Sequence, residues 1–234
     1  MGTVKTKCVE SSTISQVFSG DVFYVIKNGG IEITGCSDNV TDLVILDKYD
    51  NLVVKSIGEN AFKNKVNLKN VKLPNSIKII KKGAFYNCKQ LNSINIPSKL
   101  LRIENAAFLN CESLTNVLLN ESLEAIGFHA FEFCSSLNEI IIPDNVEMVY
   151  DNAFSECSSL KKVVIGKGIK VICPYTFSGC ISLEEVHLSN SLELICDFAF
   201  GSCVSLKQIN LNENAKVKTS AFFGCDRLVI KKNN

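Results

Sequence analysis

Eleven cysteines and two histidines hold most of the chemistry open to this 234-residue chain. Seven of the cysteines (Cys88, Cys111, Cys134, Cys157, Cys180, Cys203 and Cys225) follow one another at intervals of 23 residues, and finally 22. Thiols in such a series suggest disulfides, a metal site or a redox device. Side chains at one phase of stacked repeats point the same way from backbones about 5 Å apart, outside the ~3.5–4.5 Å between Cβ atoms that a disulfide prefers. No pair has C-x-x-C spacing, and a linear ladder does not converge on a point as zinc ligands must. The pattern therefore predicts small, buried, reduced thiols. Cys173 and Cys196 share a second phase; they are expected to be partly exposed and are the first place to look for a reactive thiol. His129 and His187 have no acid or nucleophile at a matching repeat position and read as surface residues. The chain contains no G-x-S-x-G, Gly-rich phosphate loop or H-E-x-x-H. The expectation is a non-catalytic chain with no cofactor and no metal, a thiol-based sensor or metal binder being the weaker alternative.

Composition narrows the class further. With 46% apolar and 21% charged residues the chain suits a globular fold, and its apolar runs are far too short to span a bilayer. Lys+Arg 25 against Asp+Glu 24 leaves +1, spread along the sequence, so no electrostatic footprint for nucleic acid is present.

What must position the thiols is a repeat. Ala-Phe, once Thr-Phe, recurs at Phe62, Phe85, Phe108, Phe131, Phe154, Phe177, Phe200 and Phe222. A cysteine follows three residues after each Phe, with Lys65 the exception, and a Leu six after each, from Leu68 to Leu228. That Leu opens a segment of form L-x-x-[IV]-x-[LI], whose period-two alternation predicts a half-buried strand in every repeat. Strands at this spacing must run parallel and stack, so the Phe, Leu, Ile and Cys columns become internal ladders. Pro74, Pro97 and Pro143 end the strand, and a second apolar stretch such as Ile77–Ile80 leads back to the Phe-bearing turn. Each coil is thus a strand, a corner, a short return and a turn.

The pattern L-x-x-[IV]-x-[LI]-P-x-x-[LIV]-x-x-I-[G]-x-x-A-F-x-x-C, running from Ile57 to Ile230, resembles the BspA-like leucine-rich repeat of treponemal type. The resemblance implies a repeat solenoid, mostly β with short turns or 3-10 segments, carrying a parallel sheet along one face. It also implies a recognition module, since the family is best known for secreted and surface proteins that attach to host or matrix proteins. Upstream, Phe23–Thr34 alternates around Asn28-Gly29, a hairpin signal, and Thr41–Phe62 resembles a degenerate first repeat. The expected organisation is a polar segment over 1–17, a hairpin cap with the degenerate repeat over 18–56, and tandem repeats over 57–234.

A partner would sit on the outward positions of the stacked strands. Ten residues after each Phe these read Lys72, Asn95, Leu118, Ile141, Val164, His187 and Asn210. Leu118, Ile141 and Val164 give an apolar centre, flanked two residues earlier by Asn116, Glu139, Lys162 and Glu185, and an apolar centre with a polar rim is the anatomy of an interface. The plain alternative is that β-branched residues suit a strand. A rival row on the return, Ile79, Arg102, Ala125, Met148, Val171 and Leu194, implies either self-association or side chains tilted into the core.

The first 17 residues lack the apolar stretch of a signal peptide, and reduced thiols suit the cytosol, so a cytoplasmic chain is expected, with the cell surface as the alternative the resemblance suggests. Met1-Gly2-x-x-x-Thr6 fits N-myristoylation at Gly2, with Lys5, Lys7 and Cys8 as accessory signals for peripheral membrane attachment. Asn39-Val40-Thr41 and Asn120-Glu121-Ser122 are glycosylation sequons that acquire meaning only on secretion. The expected function is a protein-binding scaffold of unspecified partner; the alternative is a surface adhesin of the same fold.

Overall fold

The structure, a computed structural model, describes residues 16–19 and 22–233. Gly2 and its myristoylation pattern, with Cys8, lie outside the described residues. The described chain is a β-solenoid of about nine turns without helix.

The N-terminus is an antiparallel cap. Strands β1 (Gln16–Ser19), β2 (Val22–Lys27) and β3 (Gly30–Cys36) form a meander. The turn between β2 and β3 places Asn28 and Gly29 at φ 52° and 65°, the left-handed pair that a two-residue type I′ turn requires. Tyr24 of β2 is buried, its ring 5.1 Å from that of Tyr49, and its hydroxyl donates to Asp50 Oδ2 at 2.9 Å. The cap is thereby fastened to the first coil, which holds β4 (Asp42–Val44), β5 (Lys48–Tyr49) and β6 (Leu52–Ile57). Asp50 and Asn51, at φ 48° and 62°, turn β5 back onto β6 as a second hairpin inside the degenerate repeat.

From there two columns of short parallel strands alternate along the chain. The front column consists of β4, β7 (Asn70–Lys72), β9 (Ser93–Ile94), β12 (Glu139–Ile142), β14 (Lys162–Ile165), β16 (Glu185–His187), β18 (Gln208–Asn212) and β20 (Val229–Asn233). The return column continues the cap through β6, β8 (Ile79–Ile80), β10 (Arg102–Ile103), β11 (Ala125–Ile126) and β13 (Met148–Val149), then resumes with β15 (Val171–Ile172), β17 (Leu194–Ile195) and β19 (Lys216–Val217). Pairing registers advance by one repeat at each step, as in Glu139↔Lys162↔Glu185.

Neither column is continuous. In the front column the strand expected over 114–119 does not form, and β16 and β18 are not paired. Among the described residues no backbone hydrogen bond joins Asn116–Leu119 to the coil on either side. The two coils that follow carry Ile140-Ile141-Ile142 and Val163-Val164-Ile165, β-branched runs that favour a pleated strand, whereas this coil has Val117-Leu118-Leu119. Its corner is also different. Asn120 stands where Pro74, Pro97 and Pro143 stand, and its amide donates to Pro97 O and Leu100 O at 2.7 and 3.2 Å while its Oδ1 accepts from Ser122 N at 2.6 Å. On the return side β13 and β15 are not paired. The corner before β15 contains Gly166 and Gly168, and a Cβ there would lie 2.5 Å from Pro143 O and 2.3 Å from Val146 O. Only glycine lets this corner close so tightly on the one before it.

The third side of each coil, the Phe-bearing turn, has no break. Phe62, Phe85, Phe108, Phe131, Phe154, Phe177 and Phe200 are fully buried, and together with half-buried Phe222 they form a stack with centroids 4.9 to 5.5 Å apart and planes within 22° of parallel. Each Phe N–H from Phe62 to Phe200 donates to the residue preceding the next Phe, at 2.7 to 2.9 Å. The turn is held by left-handed residues two before and two after the Phe, such as Asn60 and Asn64 or His129 and Phe133, so it cannot run on as a right-handed 3-10 segment. Where Thr176 replaces Ala, its hydroxyl is satisfied by Cys173 O at 2.8 Å.

Phe131→Ala empties one rung and is expected to destabilise the fold by about 3–5 kcal/mol. Urea unfolding showing a loss under about 1 kcal/mol would contradict a continuous internal ladder.

Candidate interaction surface

The cysteine ladder lies inside, beside the phenylalanines. Cys88, Cys111, Cys134, Cys157, Cys180, Cys203 and Cys225 are buried, and each thiol donates to the carbonyl oxygen of the Phe one coil earlier, from Cys88 Sγ to Phe62 O at 3.0 Å through Cys225 Sγ to Phe200 O at 3.0 Å. Most of these carbonyls also accept the backbone N–H of the residue three on, as Phe85 O does from Cys88 N at 3.1 Å, so the thiol fills a second acceptor position. The sequence reading, which treated these thiols as space-filling, missed this bond. The exception is consistent with it: no phenylalanine turn precedes the first repeat, and Lys65 there forms an ion pair with Asp38 instead.

Burial pushes the Cys88 thiol up to about 12 and holds those of Cys111, Cys134, Cys157 and Cys180 well above the ordinary value. Cys173 and Cys196 are half-buried, as expected. Burial and then the Asp151 carboxylate bring Cys173 up to about 11, and burial with Asp197 raises Cys196. A reactive thiol needs a shift the other way, so this pair lacks the electrostatics of a redox site. Among the described residues no group of three or more His, Cys, Asp or Glu is placed to hold a metal ion. His129 lies on a turn, its Nδ1 2.8 Å from Glu132 Oε2, and His187 lies on the front face, its Nε2 3.5 Å from Glu185 Oε2. They belong to different columns.

The front face carries the residues expected to meet a partner. Glu139 and Ile141 on β12 pair in register with Lys162 and Val164 on β14, which pair with Glu185 and His187 on β16. Two parallel rows result. The charged row is linked, with Lys162 Nζ 3.6 Å from Glu139 Oε1 and 4.0 Å from Glu185 Oε2. These pairs are solvent-exposed and contribute little to stability. The apolar row runs from Ile141, 51% exposed, to half-buried Val164, and inner neighbours Ile140, Ile142 and Val163 are buried. Asn116 and Leu118 stand on the same side but on the unpaired segment rather than on a strand. Leu118 is 83% exposed there, at a groove of about 180 Å³ lined also by Val117, Leu119, Glu121, Glu139, Ile141 and Pro143. The expected flat sheet is therefore a three-stranded sheet with a projecting leucine at its edge. Asn95, one coil before, is not available to a partner in the same way, because its side-chain amide bonds both Leu73 N and Leu73 O, at 2.7 and 2.9 Å.

An outward row of exposed side chains on stacked parallel strands, above an internal phenylalanine-, leucine- and cysteine-marked coil, defines a leucine-rich-repeat solenoid. The model of the BspA type leucine rich repeat region matches six copies, over residues 55–173 and 102–229. The chain belongs to that family. Among solved structures it is similar to a leucine-rich repeat protein from Bacteroides ovatus, at 25% identity and TM-score 0.70, over 92% of this chain and 71% of that one. It is also similar to the leucine-rich repeat protein of T. pallidum, at 29% identity and TM-score 0.73, over 86% of this chain and 91% of that one. No curated protein matches it. Among the described residues no helix is long and apolar enough to cross a membrane.

The ladder thiols make a pH prediction. For Cys88, Cys111, Cys134, Cys157 and Cys180 burial raises the pKa in the folded chain above the ordinary value of 9.0, so the unfolded chain gives up these protons first. Their contribution is complete below about pH 9 and declines as pH rises, by up to ~1.4 kcal/mol per pH unit for each thiol. The urea midpoint is expected to hold from pH 7 to about 8.5 and then fall, with a shallower fall in Cys134→Ser. A midpoint that stays level to pH 10 would contradict the protonated buried ladder.

Proposed function

We propose that this chain is a non-catalytic protein-binding scaffold whose front face, centred on Leu118, Ile141 and Val164 and bordered by Asn116, Glu139, Lys162, Glu185 and His187, covers a protein partner. The observation that carries this reading is the exposed apolar row beside a linked charged row, in register across three strands, with Leu118 projecting at its edge. Single exposed apolar residues need no explanation; an adjacent series with a polar border is how interfaces are built. The family supports a recognition module in general terms. Catalysis finds no support in the two separated histidines or in thiols whose protons are held more tightly than usual.

Ile141→Asp tests the reading. Its side chain leaves the solenoid outward, so the variant is expected to unfold at the same temperature as the parent while losing the partner that the parent retains in a pull-down from the native cell. Retention of the same partner by the folded variant would overturn it.

The second reading, an exported adhesin with the same face turned to a host or matrix protein, is favoured by the family resemblance. The two separate on the protein's mass from its native cell. Eleven alkylatable thiols without glycan support the intracellular scaffold, with an added myristoyl mass if Gly2 is acylated. A glycan supports export, and it is expected on exposed Asn39 rather than on Asn120, whose amide is already bonded to two carbonyls.

A further inference from the structure

The return face carries a second feature, independent of the front face. The rival row there is not tilted into the core: Ile79, Arg102, Ala125 and Met148 pair in register with side chains half-buried or exposed. At its centre is a groove of about 560 Å³, against about 180 Å³ beside Leu118. The groove exists because two side chains are small. Ala125 sits between Arg102 and Met148, and Gly127 sits between Glu104 and Tyr150 at the next outward column. Gly127 also cannot grow, since a Cβ there would lie 2.6 Å from Asn105 N.

One wall is aromatic: the rings of Phe128 and Tyr150 stand 4.6 Å apart and are tilted by 34°. Around it are three carboxylates, Glu104, Glu124 and Glu147, and a single cation, Arg102. Arg102 Nε is 3.6 Å from Glu124 Oε2, both exposed, so one carboxylate is partly answered. Glu104 Oε2 accepts the backbone N–H of Lys82 at 2.9 Å, which leaves its charge in place. Glu147 has no ion-pair partner among the described residues. The groove therefore holds a net charge of about −2 beside two π faces, and both features attract the same kind of group.

We propose that this groove binds an arginine side chain presented by a protein partner. Guanidinium is planar, weakly hydrated and forked, so it can lie on the Phe128–Tyr150 wall while donating to a carboxylate, which an ammonium does less well. The volume is within the range of small-ligand sites and admits one extended basic segment.

The test is an NMR titration of the full chain with acetyl-Gly-Arg-Gly-Arg-Gly-amide and with its citrulline analogue, which keeps the shape and loses the charge. The expected result is saturable shifts confined to amides 102–105, 124–128 and 147–150 with the arginine peptide and none with citrulline. Phe128→Leu and Glu147→Gln, both exposed positions, should each weaken binding at least about threefold, and Ile141→Asp should leave it unchanged. Should Phe128→Leu disturb the spectrum of the free protein, Glu147→Gln alone decides. No saturable shift, equal shifts with citrulline, or shifts spread to the front carboxylates Glu139 and Glu185 would overturn the proposal. Groove amides that broaden with protein concentration in the absence of peptide would assign this face to a second copy of the chain and overturn it as well.

Discussion

Everything in this molecule depends on the way one phenylalanine-bearing turn is fastened to the next. Each interior turn gives and receives along the axis: the Phe N–H donates to the carbonyl of the residue before the next Phe, and the Phe carbonyl accepts the thiol of the Cys in the following turn. The ring meanwhile lies in an offset stack about 5 Å from its neighbours. A repeat cannot bury its own apolar face, so these axial contacts, repeated coil after coil, are what convert a series of marginal units into one core.

That arrangement explains why the two strand columns can be broken without breaking the solenoid. The front column loses pairing at residues 115–119 while the return strands β10, β11 and β13 remain paired through the same coils. The return column loses pairing between β13 and β15 while β12, β14 and β16 remain paired. The turn hydrogen bonds run on through both places. Local sequence is thus free to vary on either face as long as the third side holds. The variation is where the candidate surfaces are: Leu118 projects at one break, and Met148 of the return groove lies beside the other.

The repeat, the buried phenylalanines and the solenoid class were legible because each is written eight times at a fixed interval, and a column read across repeats averages out the ambiguity of a short apolar run. The hairpin cap was legible from Asn28-Gly29 for a different reason, since few residues accept two consecutive left-handed positions. The second hairpin, turning on Asp50-Asn51, carried a weaker form of the same signal and was absorbed into the degenerate repeat. Strand breaks were not legible from the pattern, because Val117 and Leu119 keep the inward phase even where pairing is lost. What marked the difference was chemical and local: β-branched runs in the two coils that follow, Asn120 in a proline column, and two glycines at 166 and 168. The front-face residues lay where their column placed them, but which of them project was decided by those breaks. The cysteines illustrate the limit most clearly. Their burial followed from their phase, whereas their bond to the preceding Phe carbonyl depends on a contact across 26 residues that no local window contains.

The same division of labour bears on the thiols. Most of the Phe carbonyls already accept a backbone N–H within their own turn, as Phe85 O does from Cys88 N at 3.1 Å. The thiol of the next turn occupies the second lone pair, so the position suits a small donor that tolerates an apolar setting, and cysteine meets both conditions. Serine would donate a stronger bond at a higher desolvation cost, and alanine would leave the carbonyl with its backbone partner alone. At the first repeat, with no Phe turn before it, there is no such carbonyl to reach and the position becomes Lys65, paired outward with Asp38. The density of cysteine in this chain is therefore a consequence of stacking turns, and the recurrence of a potentially reactive group at seven positions reflects a structural demand, with interaction chemistry left to the two outward faces.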